Sequence, residues 1–598
     1  MGAGGCRARA GSHGPGRTGG RLMPRSGRDR VWVVLIAVLA GGVLPAGCAT
    51  VPASSDLQVV HSVPVGPQVP APSGPDRGVD PFRLVREFIE ATGNPVNGHA
   101  AARAFLTRDA AANWDDAAGL TVIEDAPGAT PENSPAGGAR RIRVSGPELG
   151  KIEADASFTP QPGTFSVELK VVKELGEWRI SNPPPGVLVE RTAFQRNYRQ
   201  VRVSFIDPNR GTLVPDLRWV PAFPAPTLSG RALDLLLAGP SQALSGAVVS
   251  AVPPGTRPRS NVLVGSDGRT LIDLAGLGGL SEQERRLVAA QIVNTLDGIV
   301  PSPLRLLADG EPLVASKSEW TIADITSYTS AAGPRPDVPG QVVIGGRLRG
   351  LDGVPVAGPA GNGQLTVRSA AHSSPGGDLL AVVVNGPDGR PQLRVGRSGG
   401  VLTPVPMDAV SMTRPTWRPS GTEVWTVING TTVAGVALSP TGPSAPYQVN
   451  ATELAQLGPI TELRLSRDGV RVAAVVGGQL VVASVVTKAG EVSLRHPRVL
   501  QADDLPPTAG VDWARSELLV VASAGPTPGV SSVSVDGLTS RQLPTTNLTG
   551  PLTDIIAAPG RQVVVADASG LWAYADSQQV WEPLLGGVGP GAVPLYPG

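Results

Sequence analysis

The C-terminal part of the chain repeats one short pattern five times, a polar turn followed by an apolar strand. Aligned on Pro375, Pro419, Arg467, Arg515 and Pro559, the copies are 44, 48, 48 and 44 residues apart. This period is close to the length of a four-stranded blade, so it predicts an all-β propeller of about five blades over residues 340–598. A β-sandwich with Pro/Gly turns is the alternative. We expect Gly363–Ser369 to join the last blade and close the ring.

Residues 1–47 have the pattern of a secretory signal peptide. Arg25, Arg28 and Arg30 precede an apolar block at 31–40. The block is about half the roughly 20 apolar residues that a membrane-spanning helix needs. Met23 is a second candidate start, because the arginines that follow it make a better n-region.

The end of this segment predicts a lipidation site. The small residues Ala46 and Gly47 precede Cys48, so we expect cleavage after Gly47. The stretch resembles the bacterial lipobox, although Pro45 stands where that motif usually has Leu. The resemblance implies an S-diacylglycerol and an N-acyl group on Cys48. Because Cys48 is the last cysteine left after cleavage, a lipid anchor also explains why it is kept. A cleaved signal with a chance cysteine, or a retained anchor, is the alternative.

Two further regions precede the propeller. Residues 48–79 are rich in Pro, Ser and Val and predict an extended tether. Residues 80–195 predict an α+β domain that opens with Asp80 as helix cap and Pro81 in the first helical position. Four strands are expected in it, at Ile142–Val144, Ile152–Phe158, Phe165–Val172 and Trp178–Ile180.

Residues 196–332 predict a second α+β domain. A strand begins at Val201, a helix ends at Gly239-Pro240, and Ser281 with Glu284 forms a capping box before another helix. The segments Val201–Pro221, Ala232–Pro240, Ala251–Thr256 and Ala289–Leu296 resemble the GerMN domain of sporulation and germination proteins. That domain is not known as an enzyme, so the resemblance implies no catalytic residue.

Composition argues against several functions. Residues 1–47 hold seven Arg and one Asp, and without them 44 basic and 49 acidic residues remain. A mildly acidic chain with no basic tract gives nucleic-acid binding no support. The mature histidines, His61, His99, His372 and His496, form no metal-spaced pair, and no His-Glu-x-x-His motif is present. We therefore predict no metal, no cofactor and no enzymatic activity.

Aromatic side chains of the propeller are the better candidates for binding. They are Trp417, Trp425, Trp513, Trp572 and Trp581. Large aromatic residues dominate interface hot spots, but they also pack between blades. We expect Trp417 and Trp513 to pack, because both stand two residues before an aligned turn position.

Lipobox, tether, two α+β domains and propeller follow one another as in the actinobacterial lipoprotein LpqB family, which the chain resembles over nearly its whole mature length. The resemblance implies a protein lipid-anchored on the outer face of the cell membrane. It also implies a role as extracytoplasmic modulator of an MtrB-like sensor kinase, affecting envelope homeostasis and division. A propeller that binds or hydrolyses envelope glycans or peptides is one alternative, and an envelope scaffold is another.

Overall fold

The computed structural model describes residues 74–132, 138–329, 338–373, 378–439, 442–500, 507–588 and 591–598. The predicted signal peptide, its cleavage site and nearly all of the tether lie outside these residues. Within the described ranges the chain forms two α+β modules and a propeller, which confirms the predicted multidomain fold class.

The N-terminal module begins with the helices α1 (Pro81–Thr92), α2 (Ala100–Arg103) and α3 (Arg108–Asn113). The Asp80 carboxylate accepts hydrogen bonds from the amides of Phe82 and Arg83 at 3.0 and 3.2 Å. Pro81 is the first helical residue, so the predicted helix start is confirmed. Leu84, Val85, Phe88 and Ile89 are buried on the inner face of α1 and share a core with the sheet.

The sheet of this module has the strand order β5-β4-β3-β1-β6, and β2 pairs with β3. Only the β1–β6 pair is parallel among these ladders. The strands are β1 (Leu120–Ile123), β2 (Gly128–Glu132), β3 (Arg140–Ile152), β4 (Phe158–Glu174), β5 (Glu177–Ile180) and β6 (Val187–Glu190). Helix α4 (Arg191–Asn197) follows and leads into the second module.

The expected strand Ile152–Phe158 is wrong, because a hairpin turn separates β3 from β4 there. The Glu153 amide donates to the Ser157 carbonyl oxygen at 2.8 Å. Ala156 has a φ of 63°, in the left-handed region that is typical of turns. In the sequence of this turn, apolar residues alternate with polar ones as in a strand, at Ile152, Ala154, Ala156 and Phe158.

The second module combines a hairpin with a small sheet. The hairpin is β7 (Tyr198–Ile206) and β8 (Leu213–Pro221), and helix α5 (Leu228–Ala238) follows it. The sheet strands are β9 (Arg257–Pro258), β10 (Leu263–Val264), β11 (Thr270–Ala275), β12 (Leu304–Ala308) and β13 (Glu311–Pro312). Helix α6 (Glu282–Leu296) connects the parallel strands β11 and β12, and α7 (Thr326–Thr329) ends the module.

Helix α6 supports the hairpin of the same module. The Ser281 amide donates to Glu284 Oε2 at 2.8 Å and the Glu284 amide to Ser281 Oγ at 3.4 Å, so the capping box is confirmed. On the buried face, the Ser204 amide donates to Thr295 Oγ1 at 3.0 Å, and Gln291 Nε2 donates to the Ser204 carbonyl oxygen at 2.7 Å. These buried bonds fix α6 against β7.

The propeller has six sheets in the described part of residues 341–597, one more than the sequence predicts. The first holds β14 (Gln341–Ile344), β15 (Arg347–Gly350) and β37 (Val593–Leu595). The second holds β16 (Val367–His372), β17 (Leu379–Asn385), β18 (Pro391–Arg397) and β19 (Leu402–Pro404). The third holds β20 (Thr416–Trp417), β21 (Glu423–Ile428), β22 (Thr432–Ser439), β23 (Gly442–Pro443) and β24 (Tyr447–Val449), and α8 (Thr452–Ala455) follows it.

The remaining three sheets have four strands each. The fourth is β25 (Ile460–Leu465), β26 (Arg471–Val476), β27 (Gln479–Lys488) and β28 (Glu491–Val499). The fifth is β29 (Thr508–Arg515), β30 (Leu518–Ser523), β31 (Val530–Ser534) and β32 (Ser540–Leu543). The sixth is β33 (Asp554–Ile556), β34 (Val564–Ala566), β35 (Gly570–Ala575) and β36 (Val580–Gly586).

The ring closes differently from the prediction. Strand β16, which overlaps Gly363–Ser369, pairs with β17 and starts the second sheet rather than joining the last one. Closure comes from β37, which pairs with β14 and so joins the chain end to the first sheet. The first sheet lacks the recurring turn, because that turn joins the first two strands of each other sheet, whereas β14 pairs with β37, which lies at the other end of the propeller sequence.

Candidate functional site

Four of the five propeller tryptophans are buried, which removes them from the list of surface contacts. They are Trp417, Trp425, Trp513 and Trp581. Trp417 Nε1 donates to the Ala371 carbonyl oxygen at 3.0 Å, and Trp513 Nε1 donates to the Arg464 carbonyl oxygen at 3.1 Å. Each bond joins neighbouring sheets, so the expected packing of both residues between blades is confirmed.

Trp572 differs from the other four. Its side chain is partly exposed on β35, and its Nε1 donates to Ser569 Oγ at 3.3 Å. Of the propeller tryptophans it alone keeps a surface that a partner could contact.

Charged residues from different sheets meet where the inner strands of the ring converge. Arg414 Nη2 lies 3.2 Å from Glu462 Oε1, and Arg414 Nη1 lies 3.5 Å from Asp554 Oδ2. Arg464 Nη2 also lies 2.8 Å from Glu462 Oε1. Asp512 accepts hydrogen bonds from the amides of Trp513 and Ala557 at 2.9 and 3.1 Å. These residues form a buried charge cluster, which we call the axial cluster: Arg414, Glu462, Arg464, Asp512 and Asp554.

Burial controls the ionisation of this cluster. It raises the pKa of Glu462 to about 8, with a further rise from the neighbouring Asp554 and Asp512 carboxylates, while Arg414 opposes the change. Burial likewise raises the pKa of Asp554 to about 6 and raises the pKa of Asp512. Burial opposes the charge on Arg414 too, but the surrounding carboxylates hold its pKa above the ordinary value. The Arg414 guanidinium therefore lowers the free-energy cost of burying ionised carboxylates here.

The end of the chain fills the space beside the axial cluster. Arg414 Nη1 donates to the Pro594 carbonyl oxygen at 2.6 Å, and Arg467 donates to the Pro597 carbonyl oxygen. The Gly598 amide donates to the His372 carbonyl oxygen at 2.8 Å. The remaining cavity, bounded by Arg414, Arg467 and other inner-strand residues, has a volume of about 20 Å³. That is room for about one water molecule and too little for a sugar or a peptide.

The three modules meet at strand β8. Trp219 Nε1 donates to Asp536 Oδ2 of the propeller at 2.9 Å, and both side chains are buried. The Trp219 amide donates to the Ala156 carbonyl oxygen of the N-terminal hairpin turn at 2.7 Å. Arg498 of the propeller donates to the Phe158 carbonyl oxygen at 3.2 Å. One tryptophan therefore contacts both neighbouring modules through hydrogen bonds.

Three family models match this arrangement, and together they cover most of the chain. Residues 74–195 match the N-terminal domain of lipoprotein LpqB, and residues 341–597 match the LpqB β-propeller domain. Residues 202–314 match the sporulation and spore germination domain.

Whole-length relatives show the same order of parts. Lipoprotein LpqB of Rhodococcus jostii is 33% identical over 607 residues, which cover 97% of this chain and 100% of the relative. The chain belongs to the lipoprotein LpqB family. The LpqB proteins of Nocardia farcinica and Mycobacterium leprae are also 33% identical and cover 96% and 95% of this chain and 99% of their own lengths. Among solved structures, a chain of a nidogen/laminin complex matches with a TM-score of 0.30 and 10% identity, over 40% of this chain and 90% of that one.

The lipidation residues predicted for this LpqB chain stay predictions. Cys48 and Gly47 both lie outside the described residues. In the part of the chain that is described, no helix is long and apolar enough to cross a membrane. The same residues contain no group of three His, Cys, Asp or Glu side chains placed to hold a metal ion.

Sequence reasoning missed the axial cluster, although a signal for it was present. Arg414, Glu462 and Asp554 each come five residues before an aligned turn position, at 419, 467 and 559. A charge recurring at one phase of otherwise apolar strands indicates side chains that converge on the ring axis.

Proposed function

We propose that this LpqB protein is a lipoprotein anchored on the outer face of the cell membrane, where it modulates an MtrB-like sensor kinase by protein–protein contact. The anchor is an S-diacylglycerol with an N-acyl group on Cys48, formed after cleavage at Gly47. Through the kinase it affects envelope homeostasis and division. No catalytic step is part of this role.

The filled ring centre is the observation that carries the proposal. A propeller that binds or hydrolyses a glycan holds its convergent polar groups around an open cavity. Here the axial charges are paired with one another, and about 20 Å³ remains beside them. Recognition therefore uses the outer surface of the modules, which suits a protein partner better than a small substrate.

The fixed contacts between modules also support a role in recognition. Trp219 holds the N-terminal module and the propeller through hydrogen bonds of 2.7 and 2.9 Å, and one core cluster includes residues of both. A preorganised surface binds with a smaller entropic cost than one assembled on contact.

The tether sets how far this surface can reach. Cys48 and Gly74 are about 26 residues apart, so a fully extended chain spans at most about 90 Å between them. Confinement within that distance of the bilayer raises the effective concentration of the protein toward a membrane-bound partner. Several acyl chains make such an anchor stable, because each buried CH₂ contributes about 0.8 kcal/mol.

The test compares Cys48→Ala with the unchanged chain and with Ser54→Ala, a control in the same segment. Cells are fractionated, and photo-cross-linking identifies the proteins in contact with each variant. We expect Cys48→Ala to leave the membrane fraction and to lose its cross-link to the sensor kinase, while Ser54→Ala keeps both. A Cys48→Ala protein that stays in the membrane fraction and keeps its cross-link to the sensor kinase refutes the proposal. Cross-links to envelope proteins without any kinase would favour the scaffold alternative.

A further inference from the structure

A groove of about 680 Å³ lies between the N-terminal module and the loop after β8 of the second module. Its floor includes Ala91 of α1 with Ala101 and Phe105, whose small or buried side chains leave the space open. Gly74, the first residue of the described chain, also lines it. Gly74 and Asp76 belong to the predicted tether of residues 48–79, so the last part of the tether lies at this groove, within the reach of the anchor worked out above.

One wall of the groove is an exposed face of helix α1. Glu87, Glu90 and Ala91 lie at helical spacing and line it, and Asn94, just beyond the helix end, lines it too. Asp76 lies beside them, and Arg83 pairs with Asp76 and Glu87 at 3.0 and 2.6 Å. Within the described part of the chain, the Glu90 carboxylate makes neither a hydrogen bond nor an ion pair, so it is available to a partner.

The opposite wall is formed by Arg196 and Asn197 at the end of α4 and by Phe223. The Phe223 side chain is 45% exposed, although large aromatic residues are usually buried. Asn197 is held in place, because its Nδ2 donates to the Ala193 carbonyl oxygen at 3.1 Å. An exposed aromatic residue thus shares the groove with a helix surface that carries carboxylates.

The lining selects the charge of the ligand. Three carboxylates line the groove together with the guanidinium of Arg196, and because Arg83 pairs with Asp76 and Glu87, Glu90 is the carboxylate left for a ligand. A basic side chain would be attracted by Glu90 and could lie over the Phe223 ring as a cation–π pair. From Glu87 to Ala91 the helix rises about 6 Å, the length of about two residues of an extended strand.

We propose that this groove binds a short extended segment of a partner protein, in which a basic side chain stands next to an apolar one. The inference rests on the proposed function, because it assigns a place to the partner contact. The partner segment meets the acidic face of α1 with its cation and Phe223 with its apolar residue. The last residues of the tether line the same groove, so the partner segment binds close to the tether.

The test uses the full chain, purified from membranes in detergent, and two fluorescent peptide probes. One is acetyl-Ala-Lys-Phe-Lys-Ala-amide and the other is acetyl-Ala-Glu-Phe-Glu-Ala-amide. Fluorescence anisotropy should show binding of the lysine probe that weakens as salt rises, and at least about fivefold weaker binding of the glutamate probe.

Two pairs of variants locate the binding. Glu90→Lys should weaken the lysine probe about fivefold, whereas Glu491→Lys, an exposed carboxylate of the propeller, should leave it unchanged. Phe223→Ala should weaken it about threefold, whereas Leu263→Ala, which removes another exposed apolar side chain, should have no effect. Each variant changes a surface residue, and circular dichroism of each should match the unchanged chain.

The results separate this inference from the proposed function. If the lysine probe binds Glu90→Lys and Phe223→Ala as tightly as it binds the unchanged chain, the groove assignment is overturned. The same holds if the unchanged chain binds the lysine and glutamate probes with equal affinity. A sensor-kinase cross-link that survives Glu90→Lys overturns the groove and leaves the proposed function standing. Probe binding that is lost in both groove variants supports the inference even if no kinase is cross-linked. In that case only the assignment of a sensor kinase as the partner is refuted. If deleting residues 54–73 raises probe affinity about tenfold, the groove holds the chain's own tether, and the partner assignment is overturned.

Discussion

Replacing Arg414 by Met should destabilise the propeller in a way that depends on pH. The side chain is 8% exposed and lies 3.2 and 3.5 Å from the carboxylates of Glu462 and Asp554. Breaking a buried ion pair by removing one partner costs about 3–5 kcal/mol, because the other charge stays buried. Arg464 remains beside Glu462, so we expect a loss near the lower end, about 3 kcal/mol.

The sign of the pH dependence follows from the raised pKa values. Between about pH 4 and pH 8, the folded chain holds protons on Asp554 and Glu462 that the unfolded chain has lost, since burial raises both pKa values. Stability from these groups is therefore present at low pH and is lost as pH rises through the folded pKa values. Without Arg414 both pKa values rise further. At about pH 5 the two carboxyl groups are then neutral when folded, and the substitution costs less than about 2 kcal/mol.

The assay is thermal unfolding of the full chain at about pH 5 and about pH 8, followed by circular dichroism. If the propeller of about 250 residues unfolds as one unit, 3 kcal/mol lowers its midpoint by about 6 °C. Arg390→Met is the matched control. Arg390 is 54% exposed and pairs with Asp408, which is 90% exposed, so its loss should cost less than about 1 kcal/mol at either pH. A midpoint for Arg414→Met that falls equally at both pH values, or not at all, refutes the account of the axial cluster.

Two further predictions concern tryptophans. Trp219→Phe keeps an aromatic ring but removes the hydrogen bond to the buried Asp536 carboxylate. We expect the free energy of unfolding to fall by about 2 kcal/mol, measured by urea unfolding. Proteolysis between modules should be faster, measured by limited trypsin digestion. Unchanged values would mean that the joint does not depend on this bond. Trp417→Phe should lower the unfolding midpoint, because it leaves the buried Ala371 carbonyl oxygen without its indole donor, at a cost of about 1–2 kcal/mol. The same change at the partly exposed Trp572 should stay within about 0.5 kcal/mol, and equal losses at the two sites would contradict the difference in burial.

The buried cluster and the groove show how far sequence reasoning reached toward a site. Lipidation of Cys48 and cleavage at Gly47 are predictions that the sequence alone permits, because a signal peptide is a local pattern. Arg414, Glu462 and Asp554 recur at the same position relative to the turns, and the sequence shows this. It does not show that the three side chains meet, because that depends on how the inner strands converge. The groove had no sequence signal, because Glu90 and Phe223 belong to different modules and only packing brings them to one cavity.

The sequence by itself determined the features that depend on neighbours in the chain. Asp80 caps α1 and Ser281 caps α6 through side chains three or fewer residues from the amides that they accept, and the apolar strands repeat at the length of a blade. Only the tertiary structure decided the first sheet of the propeller, the closure of the ring by β37 on β14 and the hairpin turn that contacts Trp219. Residues 341 and 595 pair across about 250 positions of chain, and no local pattern records such a pairing, because its free energy comes from the whole ring that brings the two strands together.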